Sequence, residues 1–112
     1  MLKKILLLLL TVGFVSANTP KVILITGTAY GIGRSTAEYL LDKGHIVYGG
    51  DILVDENLYL NDIGGIAIEM DVTNQEHVDN AISKIIAEQG RIDVLVNNAG
   101  IAVGSAIEDI SM

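Results

Sequence analysis

The stretch that most constrains this chain is TGTAYGIG, Thr26 to Gly33, because it separates two segments of different periodicity. Before it, Lys21-VILIT-Gly27 is a short β-branched apolar run ended by glycine, which predicts a fully buried strand. After it, Ile32 to Lys43 predicts a helix, with Ile32, Thr36, Ala37, Leu40 and Leu41 as its inner face and Gly44 as its C-terminal stop. The three glycines then have separate duties. Gly27 permits a tight turn, Gly31 lets a pyrophosphate approach the backbone, and Gly33 lets the helix pack close to the strand. The helix N-terminus adds partial positive charge at the same place. A glycine pattern alone is weak evidence, and a plain glycine turn is the competing reading. Its position between a strand and a helix strengthens the ligand reading.

The alternation continues along the chain. HIVYGG, His45 to Gly50, predicts a second strand that Asp51 ends. Val54 to Asp62 is polar and short, a loop with one or two helical turns. GIAIEM, Gly65 to Met70, predicts a third strand. Asn74 to Gln89 predicts a helix with Val78, Ala81, Ile82, Ile85 and Ile86 at helical spacing, ended by Gly90. IDVLV, Ile92 to Val96, predicts a fourth strand, followed by NNAG, and the residues to Met112 read as a loop and the start of a helix. Strands alternating with helices give an α/β fold with a parallel sheet and crossover connections. The expected strand order is 3-2-1-4, the first half of a doubly wound sheet, with its ligand crevice at the carboxyl ends of strands one and four.

Asp51 closes the second strand about 20 residues beyond the glycine turn, where a dinucleotide-binding unit places an acid. A carboxylate there can accept hydrogen bonds from both adenosine ribose hydroxyls and repels a 2′-phosphate. Ile52 follows it and Tyr30 stands in the turn, so neither neighbour is a cation that would hold that phosphate. The expected cofactor is therefore NAD, with NADP disfavoured. The competing reading of Asp51 is a solvated loop aspartate.

Three motifs now stand in order: TGTAYGIG, MDVTN (Met70 to Asn74) and VNNAG (Val96 to Gly100). Together they resemble the TGxxxGxG loop, the Asp-Val step and the NNAG signature of the short-chain dehydrogenase/reductases, over about residues 21 to 112. The resemblance implies a Rossmann-type fold and hydride transfer between a nicotinamide cofactor and a small alcohol or carbonyl substrate. It implies that Gly27, Tyr30, Gly31 and Ile32 line the pyrophosphate and ribose, and that Gly33 belongs to the same turn. It assigns Asp51 to NAD selection, and Asp71 with Val72 to the adenine. Asn98 would meet the nicotinamide-side ribose region, Ala99 and Gly100 would leave room for the cofactor, and Asn97 would tie strands together. Asp71 has an alternative role as a helix cap, for which Thr73 and Asn74 compete.

The same family uses a YxxxK pair as its proton donor, well after NNAG. YLLDK, Tyr39 to Lys43, has that spacing but lies on the first helix, roughly 10 Å or more from the phosphates at 1.5 Å rise per residue. It reads as a decoy, with Tyr39 partly packed and Lys43 complementing the helix C-terminus. No catalytic residue is therefore assigned. The chain is expected to be the N-terminal, cofactor-binding part of an oxidoreductase, truncated after the fourth strand, and marginally stable alone. The alternatives are an inert dinucleotide-binding half-domain and a non-functional truncated product. A homo-oligomer is expected only of a full-length parent.

Composition narrows the remaining classes. Seven basic against 14 acidic residues give a net charge of −7, which argues against nucleic acid. Cysteine is absent, and His45 and His77 stand far apart without ligand-like partners, so no metal site is expected. Residues 1–17 stand apart from the domain expected over residues 18–112. Met1-Leu-Lys-Lys is a basic start, Ile5 to Val15 is almost wholly apolar, and Val15-Ser16-Ala17 offers small residues for signal peptidase. That layout predicts a signal peptide and the secretory pathway. The alternatives are a membrane tether with the domain in the cytosol, or a buried N-terminal strand or helix.

Overall fold

The computed structural model describes residues 19–100. The expected signal segment, residues 1–17, and the expected loop and helix start after NNAG, residues 101–112, lie outside the described residues. The elements are β1 (Val22–Thr26), α1 (Gly31–Asp42), β2 (Ile46–Asp51), the short helices α2 (Val54–Asn57) and α3 (Tyr59–Asp62), β3 (Ile66–Glu69), α4 (Gln75–Gln89) and β4 (Val94–Asn97). The four strands form one parallel sheet in the order β3-β2-β1-β4. This is the α/β, doubly wound arrangement expected from the alternation of elements.

All five residues of β1 are buried, which explains its unbroken apolar run. Side chains alternate across the sheet with period two. Val22 and Leu24 pack with Tyr48, Met70, Ala81 and Ile85 on the α4 side. Ile23 and Ile25 pack with Ala37, Val47 and Leu60 on the side of α1 and α3. The central strand thus joins two apolar layers.

Several details depart from the expected faces. Ile32 is 66% exposed and does not belong to the inner face of α1, whose buried positions are Gly33 and Ala37. On α4, Ala81 and Ile85 are buried, whereas Ile82 and Ile86 are exposed. A narrow contact with the sheet accepts one helical line, and positions one residue further round fall outside it. Tyr39 is 61% exposed rather than partly packed. Strand β4 begins at Val94, two residues later than expected. The Asp93 carboxylate accepts the Val22 amide at 2.7 Å, so a side chain opens this edge of the sheet.

Both long helices stop at glycines with positive φ, Gly44 after α1 and Gly90 after α4. Asn74 caps α4, accepting the His77 amide.

Candidate functional site

A cavity of about 560 Å³ opens where the carboxyl ends of the four strands meet. The β1–α1 turn contributes Gly27, Tyr30, Gly31 and Ile32 to its lining. The end of β2 contributes Asp51, the residues after β3 contribute Asp71 and Val72, and those after β4 contribute Asn98 and Ala99. The structure therefore gathers at one place residues that lie between positions 27 and 99 of the sequence. Gly33 and Gly100 lie outside the lining. Gly33 is buried beneath the turn, and a Cβ built there would overlap the Gly27 carbonyl oxygen. Gly100 is exposed, with open space around it.

The turn is shaped for an anion. Gly31 has φ +61°, a conformation that L side chains rarely adopt, and no atom lies within 4 Å of where its Cβ would stand. Helix α1 begins directly at this open space. Its N-cap, Tyr30, makes no side-chain capping bond, and its first turn holds no acidic residue. Helix α4 shows the contrast, with Asn74 as cap and Glu76 in its first turn. The leading amides of α1 are left without those side-chain acceptors, and a phosphate supplies acceptors in that position.

Asp51 is held at the opposite side of the turn. Its Oδ2 accepts the Ala29 amide and its Oδ1 accepts the Leu53 amide, each at 2.9 Å. These bonds fix the carboxylate and leave each oxygen further acceptor capacity. Asp71 forms a local turn instead of capping α4. Its Oδ1 accepts the Thr73 hydroxyl at 2.6 Å and the Thr73 amide at 2.9 Å, and these bonds hold its carboxyl below the ordinary value. The Asp71 amide in turn donates to Nδ1 of His77 at 3.1 Å.

The NNAG segment ties the end of β4 to the end of its neighbour β1. Asn98 Nδ2 donates to the Gly27 carbonyl at 2.9 Å, and the Ala99 amide donates to the Thr26 hydroxyl at 2.9 Å. The Thr26 hydroxyl also reaches Asn97 Oδ1 at 3.3 Å, the strand-tying role expected of Asn97. Asn98 shares that role through its side chain.

Sequence reasoning missed several parts of the site. Gly50, Ile52, Leu53, Met70 and Thr73 also line the cavity. Beneath it, Thr28 and Asn57 are buried polar residues bonded to each other at 2.6 Å. The YLLDK pair stays apart from this cavity. Tyr39 and Lys43 are absent from its lining, and the Lys43 ammonium lies 5.4 Å from the centre of the Tyr39 ring.

Comparison with known proteins gives a consistent result. The family model described as short chain dehydrogenase matches residues 21–112. A 3-ketodihydrosphingosine reductase of Bacteroides thetaiotaomicron is 48% identical over 90 residues, covering 80% of this chain and 32% of that protein. An NAD-dependent glycerol dehydrogenase of Listeria innocua is 34% identical over 95 residues, covering 82% of this chain and 37% of that protein. Among solved structures, a 3-ketoacyl-(acyl-carrier-protein) reductase from Brucella melitensis complexed with NADH superposes with a TM-score of 0.64 at 28% identity, over 67% of this chain and 32% of that one. The chain thus spans about a third of the length of these proteins.

Proposed function

The chain belongs to the short-chain dehydrogenase family, and from that premise we propose that it supplies the cofactor-binding part of an NAD-dependent oxidoreductase acting on a small alcohol or carbonyl compound. The observation that carries this reading is the open β1–α1 turn, where an uncapped helix start faces one side of a cavity and the fixed Asp51 carboxylate faces the other. When bound, the nicotinamide would supply hydride transfer to a carbonyl carbon or from the carbinol carbon of an alcohol.

The residues of this chain bind and orient. Gly31 and the first amides of α1 receive the pyrophosphate, and Tyr30 and Ile32 flank it. Asp51 accepts from the adenosine ribose and disfavours a 2′-phosphate through charge repulsion. Asp71 and Val72 meet the adenine. Asn98 and Ala99 hold the floor on the nicotinamide side, through the bonds that tie them to Gly27 and Thr26.

Titration calorimetry with NADH and NADPH on the full chain tests the reading. Binding of NADH with weaker binding of NADPH is the expected result. Failure to bind either dinucleotide overturns it.

We also propose that residues 1–17 direct the domain into the secretory pathway, with a membrane tether as the rival. Among the described residues no helix is long and apolar enough to cross a membrane. An N-terminus at Asn18 in protein from its source supports export, and an N-terminus at Met1 favours the tether.

A further inference from the structure

Resting on the dinucleotide reading above, we propose that the segment between β2 and β3 is a clamp that fixes the shape of the β1–α1 turn, with Asn57 and Tyr59 as its positioning residues. Thr28 stands in that turn, one residue after Gly27, and its side chain is completely buried. A turn residue beside an open cavity is ordinarily solvated. Here the Thr28 hydroxyl donates to Asn57 Oδ1 at 2.6 Å, and the Tyr59 hydroxyl donates to the Thr28 carbonyl at 2.6 Å. Both polar ends of Thr28 are thus held from the same segment, about 30 residues further along the chain.

Asn57 is 1% exposed, and both ends of its side-chain amide are bonded. Its Oδ1 receives Thr28, and its Nδ2 donates to the Gly49 carbonyl at 2.9 Å. A buried amide is costly unless it is bonded, so a residue serving only to fill space at this position would be apolar. Space around the contact is equally tight. A Cβ at Gly49 would run into Leu60 and the Thr28 side chain, so the turn rests directly on β2. One residue on, the Gly50 carbonyl accepts the Gly27 amide at 2.7 Å.

Tyr59 is itself braced by α1. The Arg34 guanidinium lies 3.9 Å from the centre of the Tyr59 ring and pairs with Glu38 at 3.8 Å. Neither Asn57 nor Tyr59 lines the cavity, so both act through Thr28. The effect is preorganisation, with the turn held in one shape before any ligand arrives. Loosening the clamp lowers the fraction of turns in that shape and raises the apparent dissociation constant by the same factor.

Two readouts on the full chain test this: amide hydrogen exchange and NADH titration calorimetry, for Thr28→Val, Thr28→Ser and Tyr59→Phe. In Thr28→Val and Tyr59→Phe, exchange at Ala29, whose amide is bonded to Asp51, is expected to accelerate about tenfold while the β1 amides stay protected, and the NADH dissociation constant to rise about tenfold. Thr28→Ser keeps the hydroxyl and recovers most of both. Loosening of β1 together with the turn would reduce the clamp to ordinary packing and overturn the proposal. A wild-type chain that binds NADH, with variants that bind it equally well, overturns the clamp alone. A wild-type chain that does not bind NADH overturns the functional reading on which the clamp rests.

Discussion

The side-chain amide of Asn98 donates to the carbonyl oxygen of Gly27 at 2.9 Å, across 71 residues of sequence. This bond joins the end of β4 to the start of the glycine turn, and Gly33 packs directly beneath it. A Cβ at Gly33 would overlap the Gly27 carbonyl and press on Asn98 Nδ2. Gly33→Ala is therefore expected to destabilise the domain by about 1–3 kcal/mol, the usual cost of overpacking. Asn98→Ala leaves the Gly27 carbonyl without this donor, at a cost of about 1–3 kcal/mol if no water replaces it. Chemical denaturation of both variants checks the pair. Wild-type midpoints for both would remove this contact from the account of stability.

Asp51 gives the second prediction. Its two oxygens are anchored by the Ala29 and Leu53 amides, so the carboxylate is fixed rather than mobile. On the proposed reading, Asp51→Ala removes a ribose acceptor and the charge that repels a 2′-phosphate. NADH affinity is expected to fall about tenfold and the preference over NADPH to narrow, on the scale of one lost charged hydrogen bond. Parallel titrations with the two dinucleotides measure the ratio. An unchanged ratio would take Asp51 out of the site.

What could be read in advance follows from how local each feature is. The β1–turn–α1 unit is a change of period around glycines within one continuous stretch, and the strand order followed from the alternation of elements. Gly27, Asp51, Asp71 and Asn98 were legible because each lies at or just past a strand end, but Gly50, Ile52, Leu53, Met70 and Thr73, which also line the cavity, were not singled out. The Thr28–Asn57 bond was not, because it joins two polar residues 29 apart and neither breaks the pattern of its own segment. The exposure of Ile82 and Ile86 was hidden for a different reason. Helical spacing marks a broad apolar stripe, but the width of contact with the sheet depends on what else packs there.

Tyr39 offers a negative test of the YxxxK spacing. The residue is exposed, lies outside the cavity lining, and its ring centre stands 5.4 Å from the Lys43 ammonium. Tyr39→Phe keeps the ring and removes the hydroxyl. NADH affinity of this chain is expected to stay within about twofold of wild type, since an exposed cation–π contact contributes only about 0.5–1 kcal/mol and the ring survives. Activity of any longer protein that contains this chain should likewise be nearly unchanged. A loss of several orders of magnitude in that activity would restore the pair as catalytic.

Acid should weaken the fold in a way that can be traced to particular carboxylates. The Val22 amide, at the first residue of the central strand, holds the Asp93 carboxyl below its ordinary value, with help from Arg91. Glu88 is held low by Lys84 and by the Tyr48 hydroxyl, and Asp71 by Thr73. A carboxylate whose pKa is lower in the folded state stabilises that state above its unfolded pKa. The contribution is lost as pH falls through the folded value. Melting temperature should therefore be level near neutrality and fall between about pH 5 and pH 3. Asp93→Asn keeps an oxygen for the Val22 amide but no longer titrates, so the fall should become shallower. Thermal melts of both proteins across that range provide the measurement. An identical acid slope for the variant would show that Asp93 carries none of it.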